Sequence, residues 1–247
     1  MLYGVDDGAR TLEDSIAMVR MAAENGTTDL VATPHANLNY RFEPELIRER
    51  LAEIAAGAGN GLRLYSGCDF HLSFDNIQDA IARPSKYTIN QKCYLLVEFS
   101  DLLIFNNTPE IFARLLDAGM IPIVTHPERN SLLRQRIENI AGWVEAGARV
   151  QITAQSLLGV FGRRAKDFCE SLLDRSLVHF IASDAHDCEH RPPRLNDACD
   201  FLKKQYGDEV AEALCVTNPR ATLTGDSVDS IERESTPSPR KWYQLWR

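Results

Sequence analysis

Five short apolar runs of the sequence each end on a side chain that can bind a metal ion. The runs cover residues 29–35, 62–69, 94–98, 121–126 and 178–186, and each ends on His, Asp or Glu. Apolar runs of this length, separated by helical patterns, predict buried parallel strands. In a closed β/α barrel the carboxyl ends of such strands meet on one face. We therefore expect these side chains to converge.

Seven residues are candidate metal ligands. They are Asp7, His35, Asp69, Glu98, His126, Asp184 and His186. A single His or Asp after a strand is usually a cap or a satisfied polar group, but five runs in step are not explained in that way. Imidazole and carboxylate donors suit Zn, Mn or Fe, and a carboxylate such as Glu98 can bridge two ions. Seven donors exceed the needs of one ion, so we predict a centre of two or three ions.

Arginines near the candidate ligands indicate the class of substrate. Multinuclear metal centres activate water and stabilise the attacking and leaving oxygens of an in-line displacement, as in phosphoesterases and amidohydrolases. Arg129 follows His126 closely, and Arg191 and Arg194 follow His190. A guanidinium group can hold a phosphate through two hydrogen bonds. The sequence therefore favours a phosphate ester over an amide.

Two cysteines offer a different phosphatase mechanism, which we reject. Cys169 and Cys188 each precede an arginine with the C-x5-R spacing of thiolate-based tyrosine phosphatases. That mechanism needs a glycine-rich loop whose backbone N–H groups surround the phosphate. The segment after Cys169 has no glycine and a helical pattern, and the segment after Cys188 loses two N–H groups to proline.

Helical patterns between the runs indicate the fold class. Thr11 and Asp14 resemble a capping box, and apolar residues then follow at helical spacing as far as Gly26. Further helical patterns cover residues 44–56, 109–118, 137–146, 163–174 and 194–206. Alternation of strands and helices favours an α/β fold with a parallel sheet.

The composition is that of one globular domain with a polar tail. With 247 residues, of which 44% are hydrophobic and 25% charged, the chain can bury the core of a single barrel, which we place at residues 1–225. Residues 226–247 are rich in Ser, Glu, Asp and Pro, and we predict a disordered tail there. Its basic and aromatic end is a candidate for docking on a membrane or a partner.

Charge and cysteine usage exclude other classes. The net charge is −8 and the basic residues are scattered, so we expect no nucleic-acid partner. The sequence contains neither an apolar stretch of the ~20 residues that a membrane span needs nor a signal-peptide pattern, and we expect a cytoplasmic protein. The six cysteines lack a C-x-x-C pair and are expected to be reduced thiols. The sequence leaves open whether the protein forms a homo-oligomer.

Seven motifs resemble those of the capsular-polysaccharide-type tyrosine-protein phosphatases of the PHP (polymerase and histidinol phosphatase) superfamily. They are Val5-Asp-Asp-Gly8, Ala32-Thr-Pro-His35, Val97-Glu-Phe-Ser100, Thr125-His-Pro-Glu-Arg129, Gln151-Ile-Thr-Ala-Gln-Ser156, Ala182-Ser-Asp-Ala-His186 and Asn218-Pro219. The resemblance implies a distorted TIM-like (β/α)7 barrel of PHP type with a manganese-type centre. It also implies hydrolysis of phosphotyrosine on a bacterial tyrosine autokinase that controls capsule or exopolysaccharide biosynthesis.

The resemblance further implies a role for each candidate residue. One ion would be held by Asp7, His35 and His186, a second by Asp184 with the bridging Glu98, and a third by His126 with Asp69 and Glu98; Arg129 and Arg191 would bind phosphate. At the Asp69 position relatives often have Glu. Mn, Fe and Zn all accept such donors.

The chain departs from this pattern in one respect. The family begins with a strand of the Asp-Ile-His-x-His type, and no such strand precedes residues 1–8 here. Because the other matched positions are intact, we expect the native protein to extend upstream rather than to have a damaged site, and the 247-residue chain to bind fewer ions. Two other functions stay open: a small-molecule phosphatase of the histidinol-phosphate type, and a non-catalytic binding protein.

Overall fold

The structure is a computed structural model that describes residues 1–59, 61–229 and 231. Its α-helices are α1 (Leu12–Glu24), α2 (Pro44–Ala58), α3 (Phe74–Ala82), α4 (Thr108–Asp117), α5 (Ile137–Glu145), α6 (Ala154–Leu157), α7 (Arg163–Asp174), α8 (Asn196–Tyr206), α9 (Asp208–Glu212) and α10 (Asn218–Thr224). Its strands are β1 (Asp29–Ala32), β2 (His35–Ala36), β3 (Arg63–Ser66), β4 (Asp69–His71), β5 (Tyr94–Glu98), β6 (Ile121–Thr125), β7 (Arg149–Thr153) and β8 (Phe180–Ala182). A short π-helix, Ala213–Thr217, joins α9 to α10.

The strands form two parallel sheets, which confirms the predicted α/β class. Six strands pair in the order β2-β4-β5-β6-β7-β8, and β1 pairs with β3. All the described pairs are parallel, and along the chain at least one helix lies between the two strands of each pair. Within the described residues the ladder does not close on itself, because β1 pairs only with β3 and β8 only with β7. The closed (β/α)7 barrel of PHP type stays a prediction.

A large cavity lies beside the unpaired edges of the sheets. Its volume is about 850 Å³, and both β1 (Leu30, Val31) and β8 (Phe180, Ile181) contribute to its wall. The cavity also reaches His35 and His186 at the carboxyl ends of the strands. The cavity therefore connects the unpaired edges of β1 and β8 to the candidate site.

The six helices predicted from the sequence are confirmed, with ends shifted by at most two residues. The capping box of α1 is present, since the Asp14 N–H donates to Thr11 Oγ1 at 3.1 Å and the Thr11 N–H donates to Asp14 Oδ2 at 3.0 Å. The sequence analysis did not identify α3, where the Ser73 hydroxyl accepts from the Asn76 N–H. The Ser73 cap and the buried Ile77 and Ala80, three residues apart, were the available signals.

Strand β5 is buried on both faces, as expected for a strand covered by helices. Tyr94, Leu95 and Val97 are fully buried, and Leu96 is nearly so. Fully burying a side chain of this size contributes about 1.5–3 kcal/mol.

None of the helices in the described part of the chain is long and apolar enough to cross a bilayer.

The beginning of the predicted tail packs against this core. Val228 is buried, and its carbonyl oxygen accepts a hydrogen bond from Arg149 Nε at 2.6 Å. The Tyr94 hydroxyl donates to the Asp226 carbonyl oxygen at 2.7 Å. The sheet thus anchors the chain as far as Val228. Residues 230 and 232–247, which carry most of the predicted tail, lie outside the described residues.

The prediction that all six cysteines are reduced is wrong for one pair. Cys199 of α8 and Cys215 of the π-helix form a disulfide, with their Cα atoms 6.3 Å apart. Cys68, Cys93, Cys169 and Cys188 are free thiols. The two paired residues are 16 positions apart in the sequence, and only the packing of α8 on the following helices brings them together.

The side chain of Asp79 connects α3 to the segment after it. The carboxylate accepts hydrogen bonds from Lys86 Nζ at 2.8 Å and from the hydroxyl of the buried Tyr87 at 2.6 Å, and it also pairs with Arg83. Burial raises the pKa of Asp79, but the hydrogen bonds from Lys86, Tyr87 and Arg83 outweigh it and hold the pKa below its usual value.

We expect Asp79→Asn to lower the free energy of unfolding by about 1–2 kcal/mol at neutral pH. The pKa is lower in the folded than in the unfolded state, so this stabilisation is present above pH ~4 and is lost as pH falls through the folded-state pKa. Urea unfolding at several pH values measures the effect, with Asp117→Asn at an exposed position as the control. A difference between Asp79→Asn and wild type that stays constant below pH ~4 would contradict this account.

Candidate metal centre

The seven candidate ligands lie together at the carboxyl-terminal edge of the sheets. Glu98 ends β5, His126 follows β6, and Asp184 and His186 follow β8. His35 and Asp69 differ from expectation, since each begins a short second strand instead of ending a longer one. Pro34 has no N–H group and interrupts the first run. The partner strand breaks at the matching place, and His35 stays opposite Asp69 in the β2–β4 register.

Two groups of ligand atoms have the spacing of donors around a metal ion. In the first, Asp7 Oδ1 is 3.5 Å from both His35 Nε2 and His186 Nε2. In the second, His35 Nδ1 is 3.6 Å from Asp69 Oδ2 and 3.4 Å from Glu98 Oε2. Donors bound at about 2.0–2.2 Å to one ion lie about 3–3.6 Å apart. The two groups share the His35 ring.

The His35 ring also carries an unsatisfied polar atom. Its Nδ1 is buried and has no hydrogen bond of good geometry, although Glu98 Oε2 and Asp69 Oδ2 lie 3.4 and 3.6 Å away. Buried polar atoms are nearly always paired, and an ion is one of the groups that can satisfy such an atom. The donor set of imidazoles and carboxylates therefore fits divalent metal ions.

His126 extends the cluster on the other side. Its Nε2 is 3.7 Å from Asp69 Oδ2 and 3.8 Å from Glu98 Oε1. Burial lowers the pKa of His126, but the Asp69 carboxylate outweighs burial and raises it to about 9. The pKa of His35 is likewise raised to about 9, since Glu98, Asp69 and Asp7 outweigh burial. In the metal-free site the carboxylates thus favour protonated imidazoles.

The pKa values of the carboxylates depend on burial and on the neighbouring side chains. Burial raises the pKa of Asp69, the most enclosed carboxylate of the cluster. Burial also raises the pKa of Glu98, but the neighbouring rings of His35, His71 and His126 outweigh burial and hold it below its usual value. His71 was not among the predicted residues. It is opposite Glu98 in the β4–β5 register, and its Nδ1 is 3.9 Å from Glu98 Oε2. Its position two residues after Asp69 was the available signal.

Asp184 lies at the boundary between the metal ligands and the arginines. Its carboxylate accepts hydrogen bonds from both Arg129 and Arg191. Burial raises its pKa, but His126 and the two arginines outweigh burial and keep it low. The two candidate phosphate-binding residues thus converge on one anionic group. A ligand role of Asp184 beside Glu98 stays a prediction.

Two of the candidate ligands have left-handed backbone conformations. His126 has φ 32° and Asp184 has φ 49°. Side chains other than glycine rarely adopt such angles, and each costs of order 1–3 kcal/mol. Strain of this kind clusters at functional sites, where the surrounding structure holds the residue in place.

Hydrogen bonds within the following loop position Arg191. The Asp187 carboxylate accepts from the N–H groups of Glu189 at 2.7 Å, His190 at 2.5 Å and Arg191 at 3.2 Å. The His186 N–H donates to the Arg191 carbonyl oxygen at 2.9 Å. The loop therefore folds back and directs the guanidinium group of Arg191 towards Asp184.

Comparison with known proteins identifies the family. The family described as "Capsular polysaccharide synthesis, CpsB/CapC" matches residues 1–224. The putative tyrosine-protein phosphatase CapC of Staphylococcus aureus is 33% identical over 250 residues, which cover 99% of this chain and 97% of that protein. The tyrosine-protein phosphatase YwqE of Bacillus subtilis is 33% identical over 214 residues, 85% of this chain and 84% of that protein.

The chain belongs to the CpsB/CapC family. A solved structure supports this conclusion at the level of the fold, with a TM-score of 0.85, 30% identity, and coverage of 94% of this chain and 97% of that chain. It is described as one of the crystal structures of YwqE from Bacillus subtilis and CpsB from Streptococcus pneumoniae, "unique metal-dependent tyrosine phosphatases". The resemblance predicted from the sequence is confirmed.

The cysteine motifs play no part in this CpsB/CapC site. Cys169 is buried in α7, and burial raises the pKa of its thiol well above the usual value. Burial, with the neighbouring Asp187, also raises the pKa of the Cys188 thiol. A nucleophilic thiolate requires a lowered pKa. The rejection of a thiolate mechanism therefore agrees with the structure.

Sequence reasoning missed Glu128, which supports the 125–129 motif of the CpsB/CapC chain. Its buried Oε1 accepts from the Thr153 N–H at 2.9 Å and from the Thr153 hydroxyl at 2.7 Å. Arg134 donates to the carbonyl oxygens of Glu128 and Arg129, both at 3.0 Å. Glu128 thus joins the end of β7 to the loop that carries His126 and Arg129. Its presence within the motif was the available signal.

We expect Glu128→Ala to lower the free energy of unfolding by about 1–3 kcal/mol, because it leaves the buried Thr153 N–H unpaired, whereas the Thr153 hydroxyl keeps Ser156 Oγ as a partner at 2.6 Å. Glu128→Gln, which keeps an acceptor at the same place, should retain most of the stability. Urea unfolding measures both, with Glu138→Ala, in the exposed pair with Arg175, as a control expected to cost less than Glu128→Ala. Equal losses for Glu128→Ala and Glu138→Ala would argue against this supporting role.

Proposed function

We propose that the protein is a metal-dependent tyrosine-protein phosphatase that acts on a phosphotyrosine protein of capsule or exopolysaccharide biosynthesis. The observation that carries the proposal is the position of Asp184, which joins two arginines to a cluster of imidazoles and carboxylates. The relatives named above, CapC and YwqE, are described as tyrosine-protein phosphatases. A tyrosine autokinase as the substrate, a PHP-type barrel and a cytoplasmic location are the finer parts of this proposal.

The two clusters described above would hold the metal ions. Asp7, His35 and His186 form one set of donors, and Asp69, Glu98 and His126 extend from His35 on the other side. When bound, the ions would activate water and neutralise charge on the phosphoryl group. Two or three ions of Mn, Fe or Zn suit these nitrogen and oxygen donors.

The arginines bind and orient the phosphate in this proposal. Asp184 accepts a hydrogen bond from each of the guanidinium groups of Arg129 and Arg191, and Arg191 Nε is buried without a partner among the described residues. A phosphate monoester dianion presents the same kind of acceptor with more charge, and guanidinium groups bind it through charge-assisted hydrogen bonds. Phe161 lies against Arg129, with its ring centroid 4.9 Å from Cζ, and limits the positions that this side chain can take.

The leaving group explains the preference for tyrosine. A tyrosinate has a conjugate-acid pKa near ~10, so it departs with little help from an acid, whereas the alkoxide of serine must be protonated. The site contains carboxylates that ionise readily, such as Glu98 and Asp184. Such groups are poor proton donors at neutral pH.

We expect the metal-loaded protein to hydrolyse phosphotyrosine peptides much faster than phosphoserine peptides, and to lose activity when a chelator removes the metal. His126→Ala should lower both metal content and turnover, because it removes a donor next to Asp69 and Glu98. Cys169→Ser is the matched control and should leave both nearly unchanged. Elemental analysis and phosphate release measure the two quantities.

Several outcomes would contradict the proposal. Equal rates on both peptides would exclude a tyrosine-specific site, and a preference for a small phosphate ester such as histidinol phosphate would favour a small-molecule phosphatase. Metal binding without turnover of any phosphate ester would favour a binding protein. Loss of turnover in Cys169→Ser with metal still bound would exclude the metal-dependent mechanism.

Substitution of the arginines tests their role in phosphate binding. We expect Arg129→Lys and Arg191→Lys each to lower kcat/KM by about 10–100-fold, since a charge-assisted hydrogen bond contributes about 1.5–3 kcal/mol and lysine cannot reproduce the planar fork. Metal content should be unchanged. Arg175→Lys, in the exposed pair with Glu138, is the matched control. Unchanged kcat/KM in both site variants would remove the arginines from the mechanism.

A further inference from the structure

The exposed apolar side chains of this protein are concentrated around the candidate site. Among the described residues, six of the seven large hydrophobic side chains that are exposed follow strands of the site. We call these six the apolar rim: Leu38 after β2, Phe74 after β4, Leu102 and Leu103 after β5, and Leu158 and Val160 after β7. Single exposed apolar residues are normal on protein surfaces, but an apolar patch that gathers at one place marks a binding site.

Ring contacts connect the apolar rim to the site itself. Tyr40, two residues after Leu38, stacks on the His35 ring with centroids 6.2 Å apart. Phe161, directly after Val160, lies against Arg129. On the β5 side, Asn130 Nδ2 donates to the Ser100 carbonyl oxygen at 3.0 Å and so joins that loop to the Arg129 loop. The three loops therefore border the position of the two arginines.

The loops hold their apolar tips in fixed positions. The Asn37 side chain accepts from the N–H groups of Asn39 at 2.9 Å and Tyr40 at 3.1 Å, which leaves Leu38 97% exposed. The Ser100 hydroxyl accepts from the Leu102 N–H at 3.1 Å, and Leu102 is 91% exposed. Loops that are already ordered lose less entropy when they bind. Exposed leucines on ordered loops indicate contact with a ligand.

The charges of these loops favour a peptide over a membrane. Residues 37–43, 72–75, 100–107 and 158–162 contain one basic residue, Arg41, and three acidic residues, Glu43, Asp75 and Asp101. Their net charge is therefore 1 − 3 = −2. Anionic membrane surfaces attract clusters of basic residues and repel such loops. These loops offer a peptide one positive charge, that of Arg41, whereas Arg129 and Arg191 place two at the centre, where a phosphotyrosine would bind.

We propose that the apolar rim binds apolar or aromatic side chains on either side of the phosphotyrosine of an extended peptide, and so determines which phosphotyrosines are hydrolysed. This inference rests on the proposed function, because it assigns the substrate class of the same site. The rim residues contact the neighbours of the phosphotyrosine and take no part in the chemistry. Their contribution should therefore be seen with peptides and not with free phosphotyrosine.

The test uses the full chain loaded with manganese and a triple variant, Leu38→Ser, Leu102→Ser and Val160→Ser. The substrates are free phosphotyrosine, a phosphotyrosine peptide flanked by Leu and Tyr, and a peptide of equal charge flanked by Ser and Gly. We expect wild type to favour the apolar peptide about tenfold in kcat/KM, mainly through KM. The triple variant should lose this preference and keep its activity on free phosphotyrosine. Val216→Ser, at the exposed apolar residue outside the rim, is the matched control and should behave as wild type.

The outcomes separate this inference from the proposed function. If none of the three phosphotyrosine substrates is hydrolysed, the proposed function fails, and fluorescence anisotropy of the two labelled peptides then tests the rim by binding alone. Equal rates and equal binding for both peptides, or a preference that survives in the triple variant, would overturn the inference. So would rim-dependent binding to phosphatidylglycerol vesicles, or a rim-dependent dimer in sedimentation, when neither peptide is preferred.

Discussion

Repulsion between closely spaced carboxylates is the constraint on which the site depends. Asp7, Asp69, Glu98 and Asp184 occupy one edge of the fold, and each lies near an imidazole or a guanidinium group. Without these cations, and in a partly buried environment, several of the carboxylates would have to be protonated. The structure arranges three histidines between the carboxylates and two arginines beyond them. Positive charge on the arginines and on protonated His35 and His126 is therefore what allows the acidic groups to remain so close, and bound metal ions would supply the same charge.

The segments that position this cluster have strained backbone or lack regular secondary structure. His126 and Asp184 have positive φ angles, and both are followed by loops that hydrogen bonds keep in place. Glu128 and Asp187 each use one carboxylate oxygen to accept from two or more donors. Stability contributed by these hydrogen bonds, of which those to Glu128 are buried, offsets the backbone strain at the site. The sheet places the loops, and the loops determine the directions of the side chains.

The continuity between the site and the large cavity follows from the sheet topology. Parallel strands leave their carboxyl ends on one edge, and the unpaired edges of β1 and β8 lie beside the same space. His35, Asp69, His126 and His186 line that space, and burial raises the pKa of Asp69, whereas Asp7 is exposed. The two donor sets are thus in different environments although they share His35. The CpsB/CapC relationship extends over both, since the family match covers residues 1–224.

Much of the fold and the candidate site could be predicted from local sequence. The apolar run of β5 and the capping box of α1 act over a few residues, so their patterns are visible without tertiary contacts. Six of the seven candidate ligands could be named because five apolar runs in step end on His, Asp or Glu, which capping alone does not explain. Helix α3 and residue His71 were missed. The Ser73 cap was a local signal for the helix, whereas the proximity of His71 to Glu98 depends on strand register.

The sequence by itself determined the residue types, their positions at strand ends and the family motifs. Only the tertiary structure decided which of them meet. The first two runs break into two strands each, Cys199 pairs with Cys215, and Arg129 and Arg191 converge on Asp184. Such contacts depend on register, helix packing and loop hydrogen bonds, and a single sequence carries no local signal for them. For that reason the chemistry was predictable from the sequence, whereas its geometry was not.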